Sequence, residues 1–369
     1  MKEWFEYWKQ FNRPIVLGEG SPTAPWWIVG EALGEQEEEN GKPFYPEAPA
    51  GSLFRSVLKQ AHLENANIFI TNIFPIRPPG NKVDRLREYG VDLDEAGKKF
   101  KDFLNRSGPK RTLALGNIPM GTICALAGIE EWRGSPVNMG KGWCIPSLHP
   151  SNIQRKFDTA AKKEERGQSK YTYGSGRMSL VLDMVKCFTW PDLSPPSITV
   201  HTEYEPGEAL DKLKEWIAKP RPLTFDIETK GTYIDIIGFA DSPHEAWVFP
   251  MQRASWREHY ELFQIYLREL LLTPYLIGQN AAFDRPMLIH NGYECAPVWF
   301  DTRIAQSWLY PDLPGDLHYM VSIYTTHPYY KWMIKTDRMH YNGLDCALPF
   351  MIYEELERRI NKMEKEERE

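Results

Sequence analysis

Two carboxylates stand one residue apart in Leu223-Thr-Phe-Asp226-Ile-Glu228-Thr229, inside an apolar run that reads as a buried strand. Strand residues i and i+2 share a face, so Asp226 and Glu228 project together and Ile227 faces the other way. Asn280-Ala-Ala-Phe283-Asp284 and Tyr341-Asn-Gly-Leu-Asp345 follow. On a helix the i,i+4 spacing sets the Tyr341 phenol and the Asp345 carboxylate one turn apart on one side. Four clustered carboxylates repel one another and shift their own pKa values unless cations neutralise them. Hard oxygen ligands select Mg2+ or Mn2+. Two such ions about 4 Å apart stabilise both the attacking and the leaving oxygen of an in-line displacement at a phosphodiester.

A second set of chemistry-bearing residues lies in the first half. It comprises Gly30-Glu31-Ala-Leu33-Gly34 running on to Gly41-Lys-Pro-Phe44, then Thr71-Asn72, Arg77-Pro-Pro-Gly80-Asn81 and His149-Pro150-Ser151. Each follows an expected strand, at the strand ends where α/β folds place ligands.

The elements that must position these residues alternate in type. Strands are expected at Trp26–Glu31, Asn67–Asn72, Thr112–Gly116 and Trp143–Leu148, with helices at Ser52–Leu63, Pro119–Ala127 and Ser179–Phe188. That rhythm predicts an α/β fold with a parallel sheet covered by helices. Residues 154–177 break it, with seven Lys/Arg against three Asp/Glu, and read as a solvated loop or a DNA-contacting one. Trp190-Pro-Asp-Leu-Ser-Pro-Pro-Ser reads as a proline-rich linker. An amphipathic helix, Glu208–Ala218, then leads into the Asp226 strand, and the charged run Lys362–Glu369 reads as a fraying helix end. The expected division is a first domain over 1–189, a linker over 190–197 and a second domain over 198–369.

The second half, about residues 198 to 360, resembles the DEDD-type 3′–5′ exonucleases. The subtype is the one with tyrosine in the third motif, as in the proofreading domains of family A DNA polymerases. The resemblance implies a ribonuclease H-like mixed sheet. It also implies that Asp226, Glu228, Asp284 and Asp345 bind two Mg2+ or Mn2+ ions while Tyr341 orients the attacking water. Asp301, in Phe-Asp-Thr-Arg, is read instead as a helix N-cap.

About residues 14 to 188, taken together and in order, resemble the uracil-DNA glycosylase superfamily, most closely its family-4 branch. The resemblance implies a three-layer parallel-sheet domain that removes uracil by base flipping. Phe44 would stack on the base. The Asn72 amide would pair with the uracil N3–H and O4 edge. His149 would donate to the departing base near O2. Glu31 or Glu37 would stabilise the sugar cation and direct water, with Asn81 helping to position it. Ile153 would enter the duplex as a wedge. Family-4 members usually bind an iron–sulfur cluster through four cysteines, but Ile76 stands where one is expected and the N-terminal segment has none. No iron–sulfur cluster is therefore expected. Leu33 replaces a usual proline, and Glu35–Asn40 is unusually acidic for a DNA-facing loop.

The 369 residues carry 42% hydrophobic and 25% charged residues and a net charge of −6. That size suggests two to three domains, and DNA contacts must come from local basic patches. The five cysteines form no C-x-x-C pair, which fits a reducing cytoplasm. The family resemblances imply a bacterial or virus-infected bacterial cell. There is no membrane-length apolar run and no signal peptide.

The expectation is a glycosylase fused to a metal-dependent exonuclease. Its partners are DNA, as single-stranded or frayed 3′ ends and as uracil-containing strands, and a replicative DNA polymerase acting in trans, since no polymerase segment follows Glu369. One alternative makes the first domain a silent DNA- or polymerase-binding module. Another makes the second domain a ribonuclease.

Overall fold

The computed structural model describes residues 2–155 and 173–366. Residues 156–172, most of the basic stretch, lie outside the described residues, as do 367–369. The chain divides into two compact units, 1–195 with 326–328, and 196–325 with 329–369.

The first unit is built on a five-stranded sheet of order β2-β1-β3-β5-β4. Its strands are β1 (Trp26–Ala32), β2 (Ile68–Phe74), β3 (Arg111–Leu115), β4 (Val137–Asn138) and β5 (Trp143–Ser147). All neighbours are parallel except β4 and β5. Alternation along β1 sends Ile28 to one core and Trp27 and Val29 to the other. Helices Pro49–Gln60 and Tyr173–Thr189 cover the Ile28 face through Phe54, Val57, Leu180 and Met184. Helices Lys2–Lys9 and Leu93–Ser107 cover the opposite face, where Trp4 stacks on Phe103 at 5.0 Å. Both faces are thus buried, as a parallel sheet requires.

The proline-rich stretch does not behave as a free linker over its whole length. Leu193 is fully buried in the Ile28 core, and Arg111 donates to the carbonyls of Trp190 and Pro191. Residues 190–195 are laid on the first unit because Leu193 supplies an apolar anchor.

The second unit has a six-stranded sheet of order β11-β10-β7-β8-β9-β6. These strands are β6 (Thr199–His201), β7 (Leu223–Lys230), β8 (Tyr233–Ser242), β9 (Glu245–Pro250), β10 (Leu276–Gly278) and β11 (Phe300–Asp301). β8 runs antiparallel to both β7 and β9, whereas the β7–β10, β10–β11 and β6–β9 pairs are parallel. Phe225 and Ile227 pack with helices Pro206–Ala218 and Tyr260–Leu270. The other face of β7, carrying Thr224, Asp226 and Glu228, meets the helix Arg338–Glu366. Thr224 Oγ1 donates to the Cys346 carbonyl at 2.9 Å and fixes that contact.

Candidate functional site

In the first unit, β1, β2 and the turn after β5 deliver Glu31, Asn72 and His149 to one cavity of about 500 Å3. Glu37, Phe44, Asn81 and Arg155 also line it. Asn72 is 2% exposed, and its Nδ2 has no hydrogen-bond partner among the described residues. A buried amide without a partner costs about 1–3 kcal/mol, so an unsatisfied N–H on a residue that lines a cavity is a candidate ligand contact. Gly30 makes this possible, because β1 and β2 pair Gly30 with Asn72. A Cβ at position 30 would overlap Asn72 Oδ1 and come within 2.7 Å of the Phe44 ring.

Phe44 is buried and stacks on Phe54, with centroids 4.3 Å apart. Its ring lies 5.8 Å from that of His149. The Phe44 backbone is left-handed, with φ of 47°, a conformation that is strained for a bulky residue. Two side chains hold it there. Glu37 Oε1 accepts the Phe44 N–H at 2.5 Å, and Arg55 Nε donates to the Phe44 carbonyl at 3.1 Å. Arg55 also donates to the Pro43 carbonyl and pairs with Glu19, which meets Lys42 at 3.1 Å.

The two glutamates therefore separate. Glu37 uses its other oxygen on the Gly34 N–H, so it organises the loop and both its oxygens are engaged. Glu31, at the end of β1, faces the cavity. Burial raises the Glu31 carboxyl above the usual range, against the opposing pull of the Arg155 cation. Of the two candidates expected from sequence, the geometry leaves Glu31 available.

His149 follows β5, whose end is pinned where Ser147 donates to Asp183, itself paired with Arg133 in the interior. Burial, reinforced by Arg155, pushes the imidazole down to about 4. It is therefore neutral near pH 7. The Ser151 N–H donates to Nδ1 at 3.2 Å, which leaves the proton on Nε2 and makes that nitrogen the donor.

Asn81 sits exposed at the rim, where its Oδ1 accepts from Arg77 Nε at 3.1 Å. Arg77 also pairs with Glu35 at 2.9 Å. Ile153 does not project as a wedge. It is 3% exposed and packs in the core beside Gly176. The reason is local: the chain turns helical from position 150, with the Ile153 N–H donating to the His149 carbonyl. That turn aims Ile153 inward.

In the second unit Asp226 and Glu228 share the face of β7 expected for them, half-buried, with Ile227 in the core. Asp284 lies in the first turn of helix Ala281–His290, and Tyr341 and Asp345 lie on Arg338–Glu366. Burial raises the Asp226 carboxyl, and so do the neighbouring charges of Asp345, Asp284 and Glu228. Asp284 is pushed up to about 7, mainly by burial.

Three donors that sequence reading missed each tether one carboxylate. The Tyr330 hydroxyl donates to Asp345 Oδ1 at 2.5 Å. Asn342 Nδ2 donates to Asp226 Oδ2 at 2.7 Å, and Arg338 Nη2 to Glu228 Oε2 at 3.1 Å. Arg338, Tyr341 and Asp345 follow at +3 and +4 on one helix, so the helical period could have found Arg338. Nothing in the spacing pointed to Tyr330. Asp301 caps helix Thr302–Leu309 by accepting from the Arg303 and Ile304 N–H groups, and its carboxylate also accepts from Asn280 and Ala281.

Among the described residues no group of three or more His, Cys, Asp or Glu is arranged to hold a metal ion as it stands, and no helix is long and apolar enough to cross a membrane.

Comparison with known proteins follows this geometry. The uracil DNA glycosylase superfamily matches residues 17–168. The chain is 28% identical over 144 residues to the type-4 uracil-DNA glycosylase of Thermotoga maritima, covering 38% of this chain and 72% of that protein. It is 31% identical over 157 residues to that of Pyrobaculum aerophilum, covering 40% and 76%. It is also 26% identical over 184 residues to the DNA polymerase I of Borreliella burgdorferi, covering 48% of this chain and 20% of the polymerase. With 31% identity over three quarters of the Pyrobaculum aerophilum protein, the chain belongs to the uracil-DNA glycosylase superfamily.

Proposed function

We propose that the chain is a two-unit DNA-processing enzyme. Its first unit excises uracil, and its second is a metal-dependent 3′–5′ exonuclease. The observation that carries the first assignment is the buried Asn72 amide, which lines the cavity and whose Nδ2 has no partner among the described residues.

A uracil turned into the cavity receives the Asn72 amide on its N3–H and O4 edge, where cytosine presents the opposite pattern. Phe44 lies against the base. As the bond between the base nitrogen and the sugar C1′ breaks, negative charge collects on the base. His149 Nε2–H donates to O2 and stabilises it. Glu31 faces the positive charge left on the sugar and directs water to C1′.

For the second unit, support comes from the four carboxylates on facing elements and from the likeness to a DNA polymerase I. The strand order, with one antiparallel strand beside a central parallel set, fits a ribonuclease H-like sheet. The donor set is all oxygen, which suits Mg2+ or Mn2+; Asp226, Glu228, Asp284 and Asp345 are not arranged around an ion as they stand and would have to draw together to hold one. Bound cations would neutralise the carboxylates and polarise a phosphodiester. The Tyr341 hydroxyl bonds the Asp345 carboxylate one helical turn away and would turn to orient the attacking water. Uracil-bearing strands and 3′ ends are the substrates this reading requires, and a replicative DNA polymerase is its natural partner. We expect no iron–sulfur cluster, since Ile76 is fully buried in an apolar core.

A second reading, in which the first unit only binds DNA or a polymerase, is favoured by Leu33 and by the acidic helix Glu35–Asn40 at the cavity mouth.

The test uses a 5′-labelled single strand with one internal uracil, incubated in EDTA and then treated with hot alkali. An alkali-dependent cut at the uracil supports the glycosylase. An intact strand in EDTA that shortens from its 3′ end on adding Mg2+ leaves the nuclease alone and supports the binding-module reading.

A further inference from the structure

Arg338 stands where a cation is unexpected. It is the first residue of the helix Arg338–Glu366, and a positive charge is unfavourable in the first turn of a helix, where the macrodipole is itself positive. Its contacts explain the position. Nη2 donates to Glu228 Oε2 at 3.1 Å and to the Thr229 carbonyl at 2.9 Å, and Nη1 donates to Asp235 Oδ2 at 2.8 Å. A bulge supplies Asp235. Glu228 pairs with Ile236 and Thr229 with Ile234, so Asp235 has no opposite residue on β7, and such a bulge re-aims a side chain. Lys230 at 3.0 Å and Gln252 at 3.2 Å also hold the Asp235 carboxylate.

The other tethers differ from this one in charge. Asp226 is held by the Asn342 amide and Asp345 by the Tyr330 hydroxyl, both neutral. A neutral donor can stay beside a carboxylate that also takes a cation on its remaining lone pairs. A guanidinium repels that cation. We propose that Arg338 is a built-in counter-cation of the carboxylate site, which competes with a divalent ion for Glu228. Asp235 and the Thr229 carbonyl are the posts on which Arg338 stays when Glu228 turns away, so the exchange strands no partly buried charge. This rests on the nuclease reading above and adds what sets the metal demand of the site. It also gives a reason why the carboxylates, among the described residues, are not arranged around an ion as they stand.

The test uses the full chain with Mn2+ alone, free Mn2+ being counted by its electron paramagnetic resonance signal. A neighbouring charge moves the proton affinity of a carboxylate by about 1–3 pKa units, and Arg338→Gln should accordingly bind Mn2+ about tenfold more tightly than wild type. Lys331→Gln removes another cation whose charge acts on the site, at Asp345, and being exposed should change the affinity by about twofold at most. Arg338→Lys keeps a charge but loses the fork that spans Glu228 and Asp235. It should fall between wild type and Arg338→Gln, and it decides the matter if the glutamine variant does not fold. Melting gives a second readout, because Arg338→Gln should melt lower than wild type in EDTA and gain more from Mn2+. Binding by Arg338→Gln that is no tighter than by Lys331→Gln makes the arginine a structural tether and overturns the proposal, with the nuclease reading left standing. That reading falls, and the proposal with it, if wild type and every variant leave Mn2+ unbound.

Discussion

The cavity of the first unit and the carboxylate cluster of the second solve opposite electrostatic problems. The cavity is under-satisfied, with a buried amide lacking a partner and an imidazole held neutral by burial. Such a site suits a neutral ligand that brings its own donors and acceptors. The cluster has an excess of like charge, and Asp226, Glu228 and Asp345 each carry a donor from Asn342, Arg338 or Tyr330. One holds an unsatisfied amide and the other is crowded with like charge, so the two should answer to different perturbations.

The sharpest way to break this comparison is to remove one carboxylate. Asp284→Ala should reduce Mg2+-dependent digestion by about 10³-fold or more and leave uracil release in EDTA unchanged, as read on the same labelled strand. Parallel loss of both would show that the sites are not separate. Next in size, Asn72→Ala should lower uracil release by about 10³-fold in single-turnover assays, with digestion untouched. His149→Ala should cost about 10²-fold in the same assay.

The pH profile sharpens the claim of a neutral imidazole. The folded value of about 4 lies below the ordinary 6.5. His149 therefore stays neutral from pH 8 to 5, and uracil release should show no inflection near 6.5 from this residue. The same shift carries a stability cost on acidification. Above pH 6.5 the His149 contribution is intact. As pH falls from 6.5 toward 4 the unfolded chain takes up a proton that the fold refuses, and stability declines. His149→Gln should flatten that part of a melting-temperature profile. The smallest effect is expected at Arg55→Ala, which frees one side of the Phe44 peptide. A rise of about tenfold in KM for uracil-containing strands, with kcat nearly kept, would mark it as a positioning residue.

Much of the scaffold was legible in the sequence because parallel strands buried on both faces leave long apolar runs. Every residue of β2 is buried, and its Ile-Phe-Ile-Thr-Asn-Ile-Phe reads as a strand without help from turns. The pairing of Asp226 with Glu228 followed from the period of two. Contacts between elements distant in sequence were not legible. Tyr330 reaches Asp345 through a tertiary contact with no periodic signature. The helix Arg338–Glu366 runs continuously through Pro349, where a proline ordinarily argues for a break. Ile153 was misplaced because His-Pro-Ser reads as a loop, whereas Pro150 opens a helical turn. Glu31 and Glu37 look alike in sequence, and only the two backbone N–H groups claimed by Glu37 tell them apart.

The hold on Phe44 reaches beyond catalysis. Its peptide is gripped on one side by Glu37 and on the other by Arg55. Seven residues later Gly51 packs so closely that any Cβ would overlap the Tyr45 carbonyl. The segment between, Pro46–Ala50, hangs from two fixed posts. Side-chain substitutions at Pro46, Glu47 and Ala48 leave both holds on the Phe44 backbone in place, whereas Pro49 and Ala50 open the helix that carries Phe54. Ala48, Pro49 and Ala50 nonetheless line the cavity. The cavity thus sets a doubly held aromatic ring beside a wall of small side chains, so the size of the residues at those few positions decides how much room is left next to the ring.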